Sequence, residues 1–381
     1  MCTSARKQVS RNSGVLIPRD SKSSEGSRTV MTGPVIHKYI QQRVDLTAFD
    51  VKWMPQSAKF LAFGACPDGQ GTVNVYELDG CSVNKTQQLT HPRGVKCGTF
   101  ASSSREERNV TTGGFDGNWR IWDVEHPSQP VVCIRGHSKI INSVDGIGDT
   151  DGSPAVVTGC KDGSVKVWDP RKPEQPTVVM EPAPEQQKLD CWAVCFGNGY
   201  SAVERCVCAG YENGDIKFFD LRNLAVTWET CVKSGVCSLE FDQKSIYMNK
   251  LVATGTGSNI HVFDLRTKHP KRGFAQLSHS DETNSTIWAA RHLPQDRDIF
   301  ATCAGSGTIN LWKYQYPDKR THKASDGCDE GVAGTLTHLC KASLGNQPVS
   351  ALDWNPDMQG LFATCTFDQT LHVGFVTGLA S

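Results

Sequence analysis

Short stretches in which apolar and polar residues alternate recur along most of this chain. Val95-Lys-Cys-Gly-Thr-Phe100 and Val349-Ser-Ala-Leu-Asp-Trp354 are two examples. A period of two over this length predicts β-strands with one buried face. Comparable runs begin at Phe49, Ile140, Trp192, Val236 and Ile287. The pattern therefore predicts an all-β protein assembled from repeated strands.

A second segment follows each of these runs and has a common frame. Thr112-Gly-Gly-Phe-Asp-Gly-Asn-Trp-Arg-Ile-Trp-Asp123 and Thr158-Gly-Cys-Lys-Asp-Gly-Ser-Val-Lys-Val-Trp-Asp169 each contain a strand, an Asp-Gly turn and an alternating strand that ends in Trp-Asp. Less regular copies end at Tyr76, Phe219, Phe263, Trp312 and, in the seventh place, Gly374. The copies lie roughly 45–60 residues apart, and repeats of about 40–45 residues with four strands each are typical of propeller blades. Seven copies predict a closed ring, which removes exposed sheet edges.

These Trp-Asp segments resemble WD repeats, and the resemblance implies a seven-bladed WD-repeat β-propeller. We expect the propeller over residues 34–377, with a polar insertion at 317–346 in blade six. The extended segment 35–41 has no partner of its own, and too few residues follow Gly374 to supply a fourth strand for blade seven. We therefore predict that this N-terminal strand completes the last blade and closes the ring.

The N-terminal segment differs in composition from the repeats. Residues 1–33 are rich in Ser, Lys and Arg and lack apolar periodicity, so we expect a disordered basic tail. The same composition is compatible with a mitochondrial transit peptide, although Pro18 interrupts any amphipathic helix there.

Charge and cysteine content restrict the partners and the compartment. The 40 Lys and Arg residues balance 40 Asp and Glu residues, so no global field attracts nucleic acid or an acidic membrane. No apolar run approaches the roughly 18 residues of a membrane span. The 16 cysteines stand singly and no signal peptide is visible, which favours buried thiols in a reducing, cytoplasmic setting.

Blades two and three each contain a histidine, a threonine, an aspartate and a tryptophan at identical spacing. These residues are His91, Thr112, Asp116 and Trp122 in blade two, and His137, Thr158, Asp162 and Trp168 in blade three. A His, a hydroxyl and an Asp could indicate a nucleophilic triad, but a triad occurs once and this set is periodic. The resemblance to WD repeats implies a hydrogen-bonded chain that locks each blade, so we predict structural networks and no catalytic residue. Blades four to six should be softer, because the turn aspartate is replaced there by Asn213, Gly257 and Ser306.

Four cysteines lie close together in the fourth repeat. They are Cys191, Cys195, Cys206 and Cys208. Even spacing within each pair places both thiols on one strand face, and four such thiols could hold tetrahedral zinc. Structural zinc sites usually draw on CxxC-type knuckles, which this chain lacks. We predict core packing, with neither a metal nor a cofactor.

Three blades end their third strand in an Asp-x-Arg motif. The arginines are Arg171, Arg222 and Arg266. In some WD proteins such arginines dock the adaptor of cullin-RING ubiquitin ligases on one propeller face, which makes these residues candidate partner-binding groups. The alternative is a local salt bridge, which contributes little energy.

Segments between the repeat positions resemble the Monad family of WD-repeat proteins, which is implicated in assembling axonemal dyneins. Examples are Val207-Cys-Ala-Gly-Tyr-Glu-Asn-Gly-Asp-Ile-Lys217 and Leu311-Trp-Lys-Tyr-Gln-Tyr-Pro317. The resemblance covers residues 34–377 and implies a non-catalytic cytoplasmic adaptor. Its partners would be a chaperone platform of RuvB-like ATPases and prefoldin-like subunits, together with dynein heavy chains.

We therefore expect a monomeric propeller that binds proteins and neither nucleic acid nor membranes. The polar insertion and the basic tail are expected to be flexible places for partner contacts. The role of substrate receptor in a cullin-RING ubiquitin ligase is the alternative.

Overall fold

The computed structural model describes residues 33–104, 106–148, 154–183, 185 and 187–379, and these residues form strands and turns. Seven antiparallel sheets of four strands are the blades of the propeller, and a two-stranded hairpin is added to them. This arrangement confirms the predicted seven-bladed WD-repeat β-propeller. No helix in these ranges is long and apolar enough to cross a membrane. The tail predicted at residues 1–33 lies, apart from Gly33, outside the described residues.

The strands are numbered in chain order from β1 (Val35–Arg43). Blades one and two consist of β2 (Thr47–Trp53), β3 (Lys59–Ala65), β4 (Gly71–Asp79), β5 (Ser82–His91), β6 (Val95–Thr99), β7 (Val110–Gly114), β8 (Asn118–Trp122) and β9 (Val132–Arg135). Blades three and four consist of β10 (Ile141–Ile147), β11 (Ala155–Cys160), β12 (Val165–Trp168), β13 (Val178–Met180), β14 (Cys191–Gly197), β15 (Cys206–Tyr211), β16 (Asp215–Asp220) and β17 (Ala225–Cys231).

The last three blades follow the same order, with one addition in blade six. Blade five contains β18 (Val236–Phe241), β19 (Lys250–Gly255), β20 (Asn259–His269) and β21 (Gly273–Ser280). Blade six contains β22 (Ile287–Leu293), β23 (Asp296–Ala304), β24 (Thr308–Gln315) and β27 (Thr335–Ser343), and the extra hairpin consists of β25 (Thr321–Lys323) and β26 (Asp329–Gly331). Blade seven contains β28 (Val349–Trp354), β29 (Leu361–Thr366), β30 (Thr370–Thr377) and β1.

The core lies between neighbouring blades. Five of the seven second strands, among them β11 and β29, are buried at every residue because a blade covers each of their faces. One core cluster joins Trp53 and Phe60 of blade one to Leu371 of blade seven. Each blade therefore buries its apolar surface against its neighbours and cannot do so alone.

The N-terminal strand closes the ring, as predicted. β1 pairs antiparallel with β30, from Val35 opposite Thr377 to Arg43 opposite Thr370. It extends two residues beyond the predicted end. The backbone N–H of Val44 also donates to the carbonyl of Gln369 at 2.8 Å, so the connection to blade one is held as well.

The polar insertion is shorter than predicted and is packed against blade five. β27 lies within the predicted 317–346 segment but is the fourth strand of blade six. An outer strand alternates exposed and half-buried residues, so its sequence is as polar as a loop. The inserted residues are 316–334, and their strand β26 lies against β20. This docking differs from the flexible appendage expected from the sequence.

Candidate protein-interaction surface

Blade three contains a continuous hydrogen-bonded chain. The indole N–H of Trp168 donates to Thr158 Oγ1 at 2.9 Å, and Thr158 Oγ1 lies 2.7 Å from His137 Nε2. His137 Nδ1 lies 2.9 Å from Ser164 Oγ, which donates to Asp162 Oδ1 at 2.6 Å. Burial opposes ionisation of Asp162, but the hydrogen bonds from His137 and Ser164 outweigh it and lower the pKa of this carboxyl. Each buried polar group in this hydrogen-bonded chain has a partner, which rigidifies the blade. The repeated His, Thr, Asp and Trp positions do not indicate Ser164, which is the fifth member.

Blade two does not form this chain, although its four residues have the same spacing. Arg120 Nη2 lies 2.6 Å from Asp116 Oδ2 and holds the carboxylate that would complete the network. The His91 ring packs on Trp122 with centroids 4.7 Å apart. Among the described residues, both His91 nitrogens, Thr112 Oγ1 and Trp122 Nε1 lack a hydrogen-bond partner.

The identity of the cationic side chain at one strand position explains the difference. Arg120 of blade two corresponds to Lys166 of blade three, whose ammonium group donates to the Gly136 carbonyl at 2.9 Å. Asp162 therefore stays available to its network, whereas Asp116 does not. Burial and the nearby Arg120 guanidinium lower the pKa of His91 to about 3, so this imidazole is neutral.

Blades four, five and six, which lack the turn aspartate, form at most part of the hydrogen-bonded chain seen in blade three. In blade six the indole N–H of Trp312 donates to Thr302 Oγ1 at 2.9 Å, and Ser306 Oγ lies 2.9 Å from Thr308 Oγ1. In blade five Thr254 Oγ1 has no hydrogen-bond partner among the described residues. The softness expected of these blades stays a prediction.

Cys191 does not lie with the other three cysteines of blade four, since Cys195, Cys206 and Cys208 share the side that faces blade five. A β-bulge between Cys191 and Ala193 turns Cys191 to the other face, where it packs against Gly159 of blade three. Cys195 and Cys208 are opposite each other and face blade five. The even spacing that suggested a shared face does not survive the bulge, which adds one residue to the count.

Two other groups of side chains have the spacing of metal ligands. They are His137, Cys160 and Asp162, and His269, Asp326 and Cys328. Both ring nitrogens of His137 are used by the blade-three chain. His269 Nδ1 accepts the backbone N–H groups of Lys271 and Arg272 at 3.1 Å each, so the ring hydrogen of the neutral form is on Nε2, 3.2 Å from Asp326. We therefore interpret the group of His269, Asp326 and Cys328 as a structural contact between the insertion and blade five.

Carboxylates on first strands link several blades to the next one around a central channel of about 540 Å³. An inner-strand carboxylate accepts a backbone N–H from the following blade in blades one, three, five and seven. The pairs are Asp50 with Gly98 (3.1 Å), Asp145 with Phe196 (2.9 Å), Glu240 with His292 (2.5 Å) and Asp353 with Trp53 (2.7 Å). These contacts orient the first strands around the channel.

Replacement of Asp353 by Asn should stabilise the protein at neutral pH. Burial raises the pKa of Asp353 to about 6 from 3.8. Its stabilising contribution is therefore fully present below about pH 4 and is lost as the pH rises through 6. Asn can still accept the Trp53 N–H, so we expect Asp353→Asn to raise the free energy of unfolding at pH 7.5 by about 1–3 kcal/mol.

Thermal unfolding at pH 7.5 and pH 5 measures this effect, and the gain should shrink at the lower pH. Asp145→Asn is the matched control, because it removes the ion pair between Asp145 and Lys244 and should lower the melting temperature. A lower melting temperature for Asp353→Asn at pH 7.5 would contradict the assignment of a costly buried charge.

The arginines of the Asp-x-Arg motifs lie on one face of the ring. This lower face consists of the loops that join first to second and third to fourth strands. Arg171 Nη2 lies 2.7 Å from Asp169 Oδ2, and Arg222 Nη2 lies 3.5 Å from Asp220 Oδ2. Both arginines are thus neutralised by their own motif.

Arg266 of blade five is arranged differently. Its guanidinium lies over the Tyr247 ring at 4.3 Å and donates to the Tyr247 carbonyl at 3.1 Å. The motif aspartate, Asp264, is instead paired with Arg320 of the insertion. The Asp-x-Arg motif alone does not indicate that Asp264 pairs with Arg320 in place of Arg266, because Arg320 is far away in sequence.

Exposed large apolar side chains also gather on the lower face. In blades four and five they are Tyr200, Val203, Leu224 and Tyr247. Val131 and Met358 are exposed on the same face of blades two and seven. Such residues mark interaction sites when they are clustered.

Two regions of the chain match the WD domain, G-beta repeat family, at residues 128–169 and 335–373. Each match begins near the outer strand of one blade and ends with the third strand of the next. This offset explains why the seventh blade needs a strand from the N-terminus.

Full-length relatives are similar over almost the whole propeller. The chain is 51% identical to dynein axonemal assembly factor 10 of Xenopus laevis, over 91% of this chain and 97% of that protein. It is 49% identical to the Homo sapiens protein and 44% identical to that of Chlamydomonas reinhardtii, each over 91% of this chain and 98% of the relative. All three carry the same name.

Proposed function

Because this chain belongs to the dynein axonemal assembly factor 10 family, we propose that it is a non-catalytic scaffold for the assembly of axonemal dyneins in the cytoplasm. The observation that carries the proposal is the similarity along 97–98% of the length of its relatives. A closed propeller suits this role, since a rigid surface loses little entropy on binding.

The arrangement of the triad-like sets in blades two and three supports a role without chemistry. His137 is buried and bonded on both ring nitrogens within blade three. A general base must reach a substrate proton, and this imidazole is occupied by its own blade. The equivalent His91 is neutral and packed on Trp122.

We further propose that the protein is a co-chaperone adaptor between dynein heavy chains and a platform of RuvB-like ATPases and prefoldin-like subunits. The lower face offers a rigid surface with exposed apolar side chains and arginines for such contacts. The insertion would contribute to these partner contacts as a segment packed against blade five and not as a flexible loop.

Loss of the gene in ciliated cells should remove dynein arms, and the wild-type chain should restore them. Affinity purification followed by mass spectrometry should recover RuvB-like ATPases and dynein heavy chains. Intact dynein arms in cells that lack the protein would reject the proposed function.

The alternative is a substrate receptor of a cullin-RING ubiquitin ligase. Exposed Asp-x-Arg motifs on one face favour it. The same purification should then recover a cullin adaptor, and Arg171→Ala, Arg222→Ala or Arg266→Ala should abolish its capture. Recovery of the chaperone platform without a cullin adaptor favours the assembly role.

A further inference from the structure

The insertion changes the charge balance of the blade-five Asp-x-Arg motif. Asp264 is fully buried, and Arg320 Nε donates to its Oδ2 at 2.7 Å. The second nitrogen of the Arg320 fork binds Asp264 Oδ1, and both terminal nitrogens lie 3.1 Å from Asn249 Oδ1. Both oxygens of the aspartate are therefore engaged by the insertion, and Arg266 has lost the partner that its counterparts keep.

Arg266 is consequently presented as a positioned, unneutralised cation. Stacking on Tyr247 fixes the plane of the guanidinium, and among the described residues Arg266 has no carboxylate partner. A fixed guanidinium plane whose edge is open matches a carboxylate in two-point geometry.

The surroundings of Arg266 add apolar surface and two lysines, and the hydroxyl of Tyr200 there donates to the carboxylate of Glu204. Tyr200 and Val203 lie in the neighbouring loop of blade four and are exposed. Lys268 and Lys271, on and beside the long strand β20, are exposed too. An occupant of this surface therefore meets both cations and apolar side chains.

The two loops that carry this surface are held together across the blades. The Met248 N–H donates to Asn198 Oδ1 at 2.8 Å, and the Gly199 N–H donates to the Lys244 carbonyl at 2.8 Å. The surface is thus already arranged before any partner binds, which lowers the cost of association.

We propose that the lower face of blades four and five binds an acidic segment of a partner protein that also carries aromatic or aliphatic side chains. Arg266 pairs with a carboxylate of the segment, and Tyr200, Val203 and Leu224 contact its apolar side chains. The inference rests on the proposed scaffold role and names the surface and the chemistry of its partner. Arg320 acts as a positioning residue, because it keeps Asp264 away from Arg266.

Site-specific photocrosslinking in ciliated cells tests the proposal. The full chain carries p-benzoylphenylalanine in place of Val203 or, as control, in place of Lys139 on the opposite face. Crosslinked peptides are sequenced by mass spectrometry. We expect Val203 to capture acidic segments with aromatic or aliphatic residues, and Lys139 to capture none of them.

Charge-reversal variants identify which arginine pairs with the acidic segment. Arg266→Glu should reduce the crosslink yield at least about tenfold, as for loss of a charge-assisted contact, whereas Arg171→Glu should leave it within about twofold because Asp169 already neutralises Arg171. Unchanged melting temperatures establish that both variants fold. Arg320→Ala should also reduce the yield, since Arg266 can then return to Asp264.

Equal loss in both charge reversals, crosslinks to nucleic acid or lipid, or crosslinked segments that are not acidic would overturn the proposal. Restoration of dynein arms by Arg266→Glu, together with undiminished crosslinking, would reject this surface while leaving the assembly role intact. Intact arms in cells without the protein would instead reject the assembly role.

Discussion

Deletion of residues 34–42 should lower the melting temperature by on the order of 10 °C, because the ring loses the strand that closes it. β1 pairs with β30 along its length, and its Ile36 and Ile40 pack on two core clusters. Loss of these contacts should cost about 3–5 kcal/mol, at about 2–4 °C for each kcal/mol in a large domain. β30 would also become an open sheet edge, which promotes aggregation.

Differential scanning calorimetry measures the effect, with deletion of residues 1–32 as the control from the same end of the chain. A point variant separates packing from chain length. Ile40→Asp should destabilise the protein, whereas Gln41→Asp, on the exposed side of the same strand, should have little effect. An unchanged melting temperature after deletion of 34–42 would refute closure by β1.

Replacement of His137 by Phe should destabilise the protein by about 2–4 kcal/mol, because it leaves Thr158 and Ser164 without their buried partner. The same change at His91 should leave stability unchanged or raise it. His91 makes no hydrogen bond within the described residues, and a phenyl ring can keep its packing on Trp122. Urea unfolding of the two variants compares equivalent positions in neighbouring blades.

Replacement of His91 should also change how the stability of the protein responds to acid. The folded-state pKa of His91 is about 3, below its ordinary value of 6.5. Its contribution to stability is therefore full above pH 6.5 and is lost as the pH falls toward 3, by up to about 1.4 kcal/mol per pH unit. His91→Phe should flatten this loss between pH 7.5 and pH 4.5. Equal destabilisation by the two replacements at pH 7.5 would contradict the difference between the blades.

The pattern of apolar positions alone determined the number of blades and the closing strand. Alternation is a local property, and each blade must bury its strands against similar neighbours, so seven copies lead to one ring. The exact limits of the insertion were harder to predict. β27 is an outer strand with few fully buried positions, and its sequence therefore resembles that of a surface loop.

Equal spacing did not lead to equal chemistry. His91 and His137 occupy the same repeat position. In blade two Arg120 forms an ion pair with the turn aspartate, whereas in blade three Lys166 bonds elsewhere and leaves the turn aspartate to the network. In blade four, a bulge beside Cys191 reverses the face that residue counting predicts. Both outcomes depend on contacts between side chains and strands that form only in the folded protein, so residue spacing alone does not predict them.

The repeats and the local alternation of the sequence thus determined the propeller, and the resemblance in segments between the repeat positions indicated its family. The tertiary structure decided which of the three Asp-x-Arg motifs presents a free cation. Asp169 and Asp220 keep their own arginines, and Asp264 is taken by Arg320. The physical reason is that a buried carboxylate pairs with the guanidinium that the fold places beside it, and Arg320 reaches Asp264 only because the insertion folds back onto blade five.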